Sequence, residues 1–357
     1  MITSRPFGTL PTGTDTTLYC LSNGPVTVHV SNLGATIVGI EAPDSAGECA
    51  DIVLGYDDAP AYFPNTPYFF GATVGPSANR VERAEVPIDG VIYHLPQNEN
   101  GNNLHTDHEH GLHAMVWDAE VDEAACAVTF RCSVADGAYG LPGARSFTVR
   151  YALAGTSLTV DYEATTDAPT FFNLTNHTYF NMAGQGSGTT FNQELQLTAS
   201  RYLPIDATSI PTGEMRPVAG TAFDFRAAHA IGRDIAADDE QLALAHGYDH
   251  CFCIDGYDAA AEDSGSAPIP RLAARAVDPA SGRGMELWTS LPGLQLYTGN
   301  FLDEDHGKAG ATYRPQEGFA LEPQFYPATP SHPAFPQAVY DAAHPYRARN
   351  EYRFFTV

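Results

Sequence analysis

The chain has 357 residues, 43% of them hydrophobic, and a formal charge of −25 from 43 acidic against 18 basic side chains. An excess of negative charge on this scale repels phosphate backbones and anionic lipid headgroups, which argues against nucleic acid and membrane surfaces as partners and favours an uncharged ligand. No run of about 18 apolar residues is present to cross a bilayer, and Met1-Ile2-Thr3-Ser4-Arg5-Pro6 carries no basic patch followed by an apolar stretch, so the expected location is cytoplasmic.

Glycine (32) and proline (26) cut the chain into short segments. The aromatics Tyr62, Phe63, Tyr68, Phe69 and Phe70 form either a stacking wall or core, and core is the reading preferred. Val86 to Tyr93 reads as a hairpin about an Asp89-Gly90 turn. Val128, Phe130, Cys132 and Val134 alternate onto one face of a strand. Phe147, Val149, Tyr151 and Leu153 do the same, and Ala154-Gly155-Thr156-Ser157 turns the chain into Leu158, Val160, Tyr162 and Ala164, a second hairpin. Helical pattern is best over 229–246, which carries Ile231, Ile235, Leu242 and Leu244. Residues 256–270 read as a surface loop. Cys20, Cys49, Cys126, Cys132, Cys251 and Cys253 lack the paired spacing of a zinc or redox motif and read as reduced and structural, with Cys251 and Cys253 pointing the same way from one strand. Many short strands, scarce helix, no fixed-period repeat and no low-complexity linker predict an all-β protein, a large antiparallel β-sandwich in one domain over 1–357.

The segment Phe172-Asn173-Leu174-Thr175-Asn176-His177-Thr178-Tyr179-Phe180-Asn181 departs from plain alternation. It crowds a histidine, three amides, two threonines and a tyrosine into ten residues. Buried without partners, such groups would cost roughly 1–3 kcal/mol each. Either an internal network satisfies them or a polyhydroxylated ligand does, which makes a sugar-like ligand the first expectation. Four other patches mix polar and aromatic residues: Ser77-Ala78-Asn79-Arg80, the stretch from Asn98 to His105, Gly247-Tyr248-Asp249-His250, and Gly318-Phe319-Ala320-Leu321-Glu322-Pro323-Gln324. Each has a plain alternative. Arg80 can be a surface ion pair, His105 a loop histidine, Asp249 a turn residue and Glu322 a solvated acid. His177 is hardest to explain that way, because its neighbours all need partners.

Taken together, Asn79-Arg80, Leu104-His105, the His177 block, Tyr248-Asp249-His250 and Leu321-Glu322-Pro323-Gln324 resemble the signature blocks of the galactose mutarotase (aldose 1-epimerase) family. Asp89-Gly90, Asn98-Glu99, Trp117 and Pro292-Gly293-Leu294-Gln295-Leu296-Tyr297 match as connecting features. The resemblance runs from about residue 20 to the C-terminus. It implies a β-sandwich shared with other carbohydrate-active enzymes and interconversion of the α and β anomers of a free hexose such as galactose or glucose. It also implies Glu322 as general base and His177 as general acid, with Asn79, Arg80, His105, Thr178, Tyr179, Phe180, Asp249 and Gln295 binding the sugar. No metal or organic cofactor is implied. The expected partner is a small monosaccharide, and the protein a monomer or homodimer.

The residue types suit that chemistry. A base takes the C1 hydroxyl proton while an acid protonates the ring oxygen, the C1 aldehyde rotates about C1–C2, and the same pair closes it on the other face. A carboxylate of ordinary pKa about 4.3 is ionised at neutral pH, whereas a histidine near 6.5 can carry a proton. Three departures from the family pattern stand out, the first of which bears on substrate preference. Thr106-Asp107 follows His105 where the family has two glycines, so that Asp107 is expected to raise the His105 pKa or remodel a pocket wall. Gly75-Pro76 precedes Ser77 where Gly-Arg is common, and Pro327-Ala328-Thr329 lacks the acidic residue that commonly follows that proline. His105, His108, His110 and His113 fit neither strand alternation nor a helical zinc pair. Three other readings remain open: a non-catalytic sugar-binding module, a glycoside hydrolase using Glu322 and Asp249, and a sugar-phosphate epimerase, for which Arg80 is the one obvious cation.

Overall fold

The computed structural model describes residues 1–258 and 269–357, so most of the expected loop at 256–270 lies outside the described residues. Three large antiparallel sheets dominate. The first has five strands in chain order, from Ile2–Thr9 to Cys49–Asp51. The second has nine, running from Asp118–Asp122 through Ala127–Val134, Arg145–Ala154, Ser157–Thr166, Tyr346–Thr356, Arg283–Thr289, Arg271–Val277 and Glu194–Leu197 to His229–Ala230. The third has six, in the order Tyr179–Phe180, Phe319–Gln324, Gly293–Tyr297, Asp249–Ile254, Ala199–Tyr202 and Arg216–Pro217.

Both expected hairpins form. Glu85–Ile88 pairs with Val91–His94 about Asp89-Gly90. In the longer one, Phe147 faces Ala164, Val149 faces Tyr162, Tyr151 faces Val160 and Leu153 faces Leu158. All eight are buried, because partners in register put their side chains on the same face of the pleat. Fully burying a large apolar side chain is worth roughly 1.5–3 kcal/mol, so this face alone anchors the middle of the nine-stranded sheet. On the neighbouring strand Val128 and Phe130 continue the buried face, while Cys132 and Val134 are half-buried towards its end.

The helix expected over 229–246 is much shorter. Only Glu240–Ala245 is α-helical. His229–Ala230 adds an edge strand beside Glu194 and Leu195, and Ile231–Arg233 is a 3-10 turn. Gly232 packs closely there, since a Cβ would lie 2.7 Å from the Phe191 Cβ. Asp239 then starts the true helix by accepting from the Gln241 and Leu242 N–H groups. Among the described residues no helix is long and apolar enough to cross a membrane.

One hydrophobic cluster joins the three large sheets. The six-stranded sheet shows how it positions a site. Phe180, Phe319, Leu321, Leu294, Leu296, Phe252 and Ile254 all belong to that cluster, and Phe180 meets Tyr352 of the nine-stranded sheet at a ring separation of 5.7 Å. The alternate residues of the same strands therefore project from the opposite face. Those residues are Tyr179, Glu322, Gln324, Gln295, Tyr297, Asp249, Cys251 and Cys253, and three of the strands place Glu322 opposite Gln295 and Asp249 opposite Tyr297.

Candidate active site

Four chain segments assemble over the polar face of the six-stranded sheet. The His177 block is held by its own amides. Asn176 Nδ2 donates to the Gly71 carbonyl at 2.8 Å and Asn173 Oδ1 accepts from the Phe325 N–H at 2.8 Å. Asn181 Nδ2 reaches the Gly188 and Glu317 carbonyls, and its Oδ1 accepts from Gln193. Thr178 Oγ1 donates to Asn176 Oδ1. The crowded polar groups thus find partners, mostly in the backbone of neighbouring segments, apart from Thr175 Oγ1 and the one that matters chemically: His177 Nδ1 is buried with no partner.

His177 Nε2 lies 3.7 Å from Glu322 Oε1. Glu322 is 2% exposed and His177 5%, and Glu322 Oε2, like His177 Nδ1, is buried without a hydrogen-bond partner. Burial pushes the Glu322 carboxyl well above the usual carboxylate range, with the Asp249 charge adding to the rise and Arg80 opposing it. Burial also lowers His177, to about 4. Both shifts run against the expectation of an ionised Glu322 beside a charged histidine. Burial disfavours charge on both groups.

Arg80 and Asp249 form the more open end. Arg80 Nε and Nη2 donate to the two Glu99 carboxylate oxygens at 2.6 and 2.9 Å, a two-pronged pair. Its Nη1 stands 3.6 Å from Asp249 Oδ2. Asp249 Oδ1 accepts from Gln295 Nε2 at 2.6 Å, leaving Gln295 Oε1 buried and unpaired. Burial works against the Arg80 charge, but Asp249 and Glu99 more than offset it. Burial likewise raises Asp249, with Arg80 and Gln295 pulling the other way.

His105 is oriented through its neighbour's backbone. The Asn79 N–H donates to His105 Nδ1 at 3.1 Å, so the neutral ring carries its hydrogen on Nε2. The Asn79 carbonyl accepts from the His105 N–H at 3.1 Å, while the Asn79 side chain bonds the Arg80 N–H. Burial, followed by His177 and Arg80, drives the His105 pKa well below the ordinary histidine value. Asp107 does not raise it, contrary to expectation. Its carboxylate accepts from the Glu109 and His110 N–H groups instead and lies 3.4 Å from His110 Nδ1. Thr106, with φ +69°, fills the left-handed position that glycine would suit. Its hydroxyl makes this tenable by accepting from the Ser77 N–H and donating to the Ser77 carbonyl.

Of the ten residues expected at the site, His177, Glu322, His105, Arg80, Asp249, Gln295 and Tyr179 are brought together, and Asn79 acts through its backbone. Phe180 is turned into the core and Thr178 is spent on Asn176, so neither side chain faces the polar side; strand alternation from His177 would have separated them from Tyr179. Three neighbours were not among the expected site residues. Glu99 needs the fold to bring it to Arg80. Tyr297 stands 6.4 Å from His177 and 5.9 Å from Tyr179, ring to ring. Phe69 is buried, as expected together with Tyr62 and Phe70, but its ring lies against His105 at 4.8 Å and His177 at 6.0 Å. Among the described residues no group of three or more His, Cys, Asp or Glu side chains is arranged to hold a metal ion.

The aldose 1-epimerase family model matches residues 17–353. The chain is 37% identical to the galactose mutarotase of Rattus norvegicus over 355 residues, covering 99% of this chain and 98% of that protein. It is 34% identical to the aldose 1-epimerase of Escherichia coli, with 88% of each covered. The crystal structure of galactose 1-epimerase from Lactobacillus acidophilus superposes with a TM-score of 0.84 at 27% identity, covering 100% of this chain and 99% of that one. With a family match over nearly its whole length, the chain belongs to the aldose 1-epimerase family and is an isomerase.

Proposed function

We propose that the protein is a mutarotase of free hexoses, galactose and glucose among them, with Glu322 as base and His177 as acid. The observation that carries this reading is the buried Glu322–His177 contact at 3.7 Å, in which each partner keeps one polar atom unpaired. The C1 hydroxyl and the ring oxygen are bonded to the same carbon, so an acid and a base this close can serve both at once.

The proton count closes. A neutral Glu322 beside a neutral His177 contains as many protons as a Glu322 carboxylate beside an imidazolium, and one transfer across the contact interconverts them. In the charged arrangement Glu322 takes the C1 hydroxyl proton, the C1–O5 bond breaks as C1=O1 forms, and His177 protonates O5. Both groups are then neutral, the form that burial favours. Rotation about C1–C2 presents the other aldehyde face, and the reverse transfers close the ring. Each group is worth roughly 10²–10⁴-fold. His105 Nε2–H and Arg80 donate to sugar oxygens, while Asp249 accepts from a hydroxyl and Gln295 aligns Asp249.

Polarimetry on freshly dissolved α-D-galactose and α-D-glucose tests this. Protein is expected to speed the approach to an unchanged final rotation. Glu322→Gln and His177→Asn should each lose about 10²-fold or more in kcat with sugar binding largely retained. Full activity in either variant refutes the assignment, and saturable binding with no acceleration by the wild type would instead identify a sugar-binding module.

A further inference from the structure

Phe69 is 2% exposed, yet it stands apart from the main core, clustered only with Val74 and Ala78 among the buried apolar residues described. Its φ is +56°, a left-handed conformation disfavoured for a bulky side chain and ordinarily left to glycine. Its ring is ringed by histidines: His113 at 4.7 Å, His105 at 4.8 Å, His108 at 5.5 Å and His177 at 6.0 Å. The turn that carries it is tied to the same place. The Phe69 N–H donates to the Asn65 carbonyl at 2.6 Å, the Gly71 N–H donates to the His177 carbonyl at 2.9 Å, and the His177 N–H donates to the Ala72 carbonyl at 2.9 Å.

A residue that only filled space here would sit in a relaxed backbone and share in the large apolar clusters. Phe69 does neither, and its flat ring contacts the two imidazoles that face the polar side of the sheet, which are themselves 5.4 Å apart and nearly perpendicular. We infer that Phe69 is a positioning residue for the acid–base centre, holding the ring planes of His177 and His105 and excluding water from them. This rests on the role proposed above for His177. The groups packed around His177 are Glu322, His105, His113, Tyr179 and Tyr297. Burial is the chief cause of its lowered pKa of about 4, and His113 also opposes its protonation. Removing the ring admits water and lets His177 hold a proton at higher pH.

Phe69→Gly tests this directly, because glycine suits the backbone while deleting the ring. The expected result is at least about a tenfold loss of kcat on α-D-galactose with KM within about threefold. The acid limb of the kcat/KM profile should move up by at least about one pH unit, towards the ordinary histidine value. Phe69→Tyr, which keeps the ring, should recover both. Should Phe69→Gly not fold, Phe69→Ala is read the same way, with the His177 ring protons titrated by NMR to follow its pKa. A ring-deleted variant with wild-type kcat and an unmoved acid limb overturns the inference, as does one no different from Phe69→Tyr. Failure of the parent reading looks different: the wild type would not accelerate mutarotation, or His177→Asn would be fully active.

Discussion

Glu322 sits where a carboxylate is costly, and the protein keeps it there. Its folded pKa lies well above that of an exposed glutamate, chiefly through burial. A folded-state pKa raised above the unfolded value means that the native protein binds this proton more tightly. Stability from this group is then full below about pH 4 and is lost as pH rises through the raised value. His177 carries the opposite sign: its pKa is lowered to about 4, so its contribution is full above about pH 6.5 and is lost as pH falls towards 4. Glu322→Gln removes the first penalty while keeping the shape. The variant is expected to match the wild type in Tm near pH 4 and to exceed it at pH 8 by at least about 2 °C, although it is inactive. A difference that does not grow between pH 4 and 8 would mean that the pocket leaves Glu322 free to ionise.

Arg80 is set by elements distant in sequence, and its orientation depends on them. The loop that supplies Glu99 delivers both carboxylate oxygens to one guanidinium, while the Asp249 strand holds a third oxygen 3.6 Å away. Without Glu99 the guanidinium can fold onto Asp249 and cover an acceptor meant for the sugar. Glu99→Ala is accordingly expected to raise KM for α-D-galactose about tenfold with kcat within about threefold, the signature of lost ground-state and transition-state binding alike. A fall in kcat with KM unchanged would place Glu99 in the chemical step instead. That partnership was not legible in the sequence, where Glu99 is one acid among 43. Local features were legible: the 145–166 hairpin announces itself by alternation, and the His177 block by a density of amides no ordinary strand carries. What failed were features set by packing in three dimensions. The 229–246 pattern resolves into an edge strand, a 3-10 turn and a short helix, the pleat turns Phe180 into the core, and a left-handed turn brings the buried Phe69 against His105 and His177.

Across the whole molecule, the net charge of −25 and the site make opposite predictions about salt. The surface acids repel one another, and salt screens repulsion between exposed charges over a Debye length of about 8–10 Å at physiological ionic strength. Raising sodium chloride from about 20 to 300 mM is therefore expected to raise Tm. The site is insulated from this field in two ways: its cation is already paired with Glu99 and faces Asp249, and the proposed substrate carries no charge. For a neutral hexose, kcat/KM should stay within about twofold over the same range, since there is no charged encounter to screen. A sugar phosphate would behave otherwise, because an acidic surface slows the approach of an anion and salt relieves that barrier. The two readings thus separate in one titration. A rising Tm with flat kcat/KM supports a neutral sugar, whereas a kcat/KM that climbs steeply with salt would reveal a negatively charged substrate and reassign Arg80 to phosphate binding.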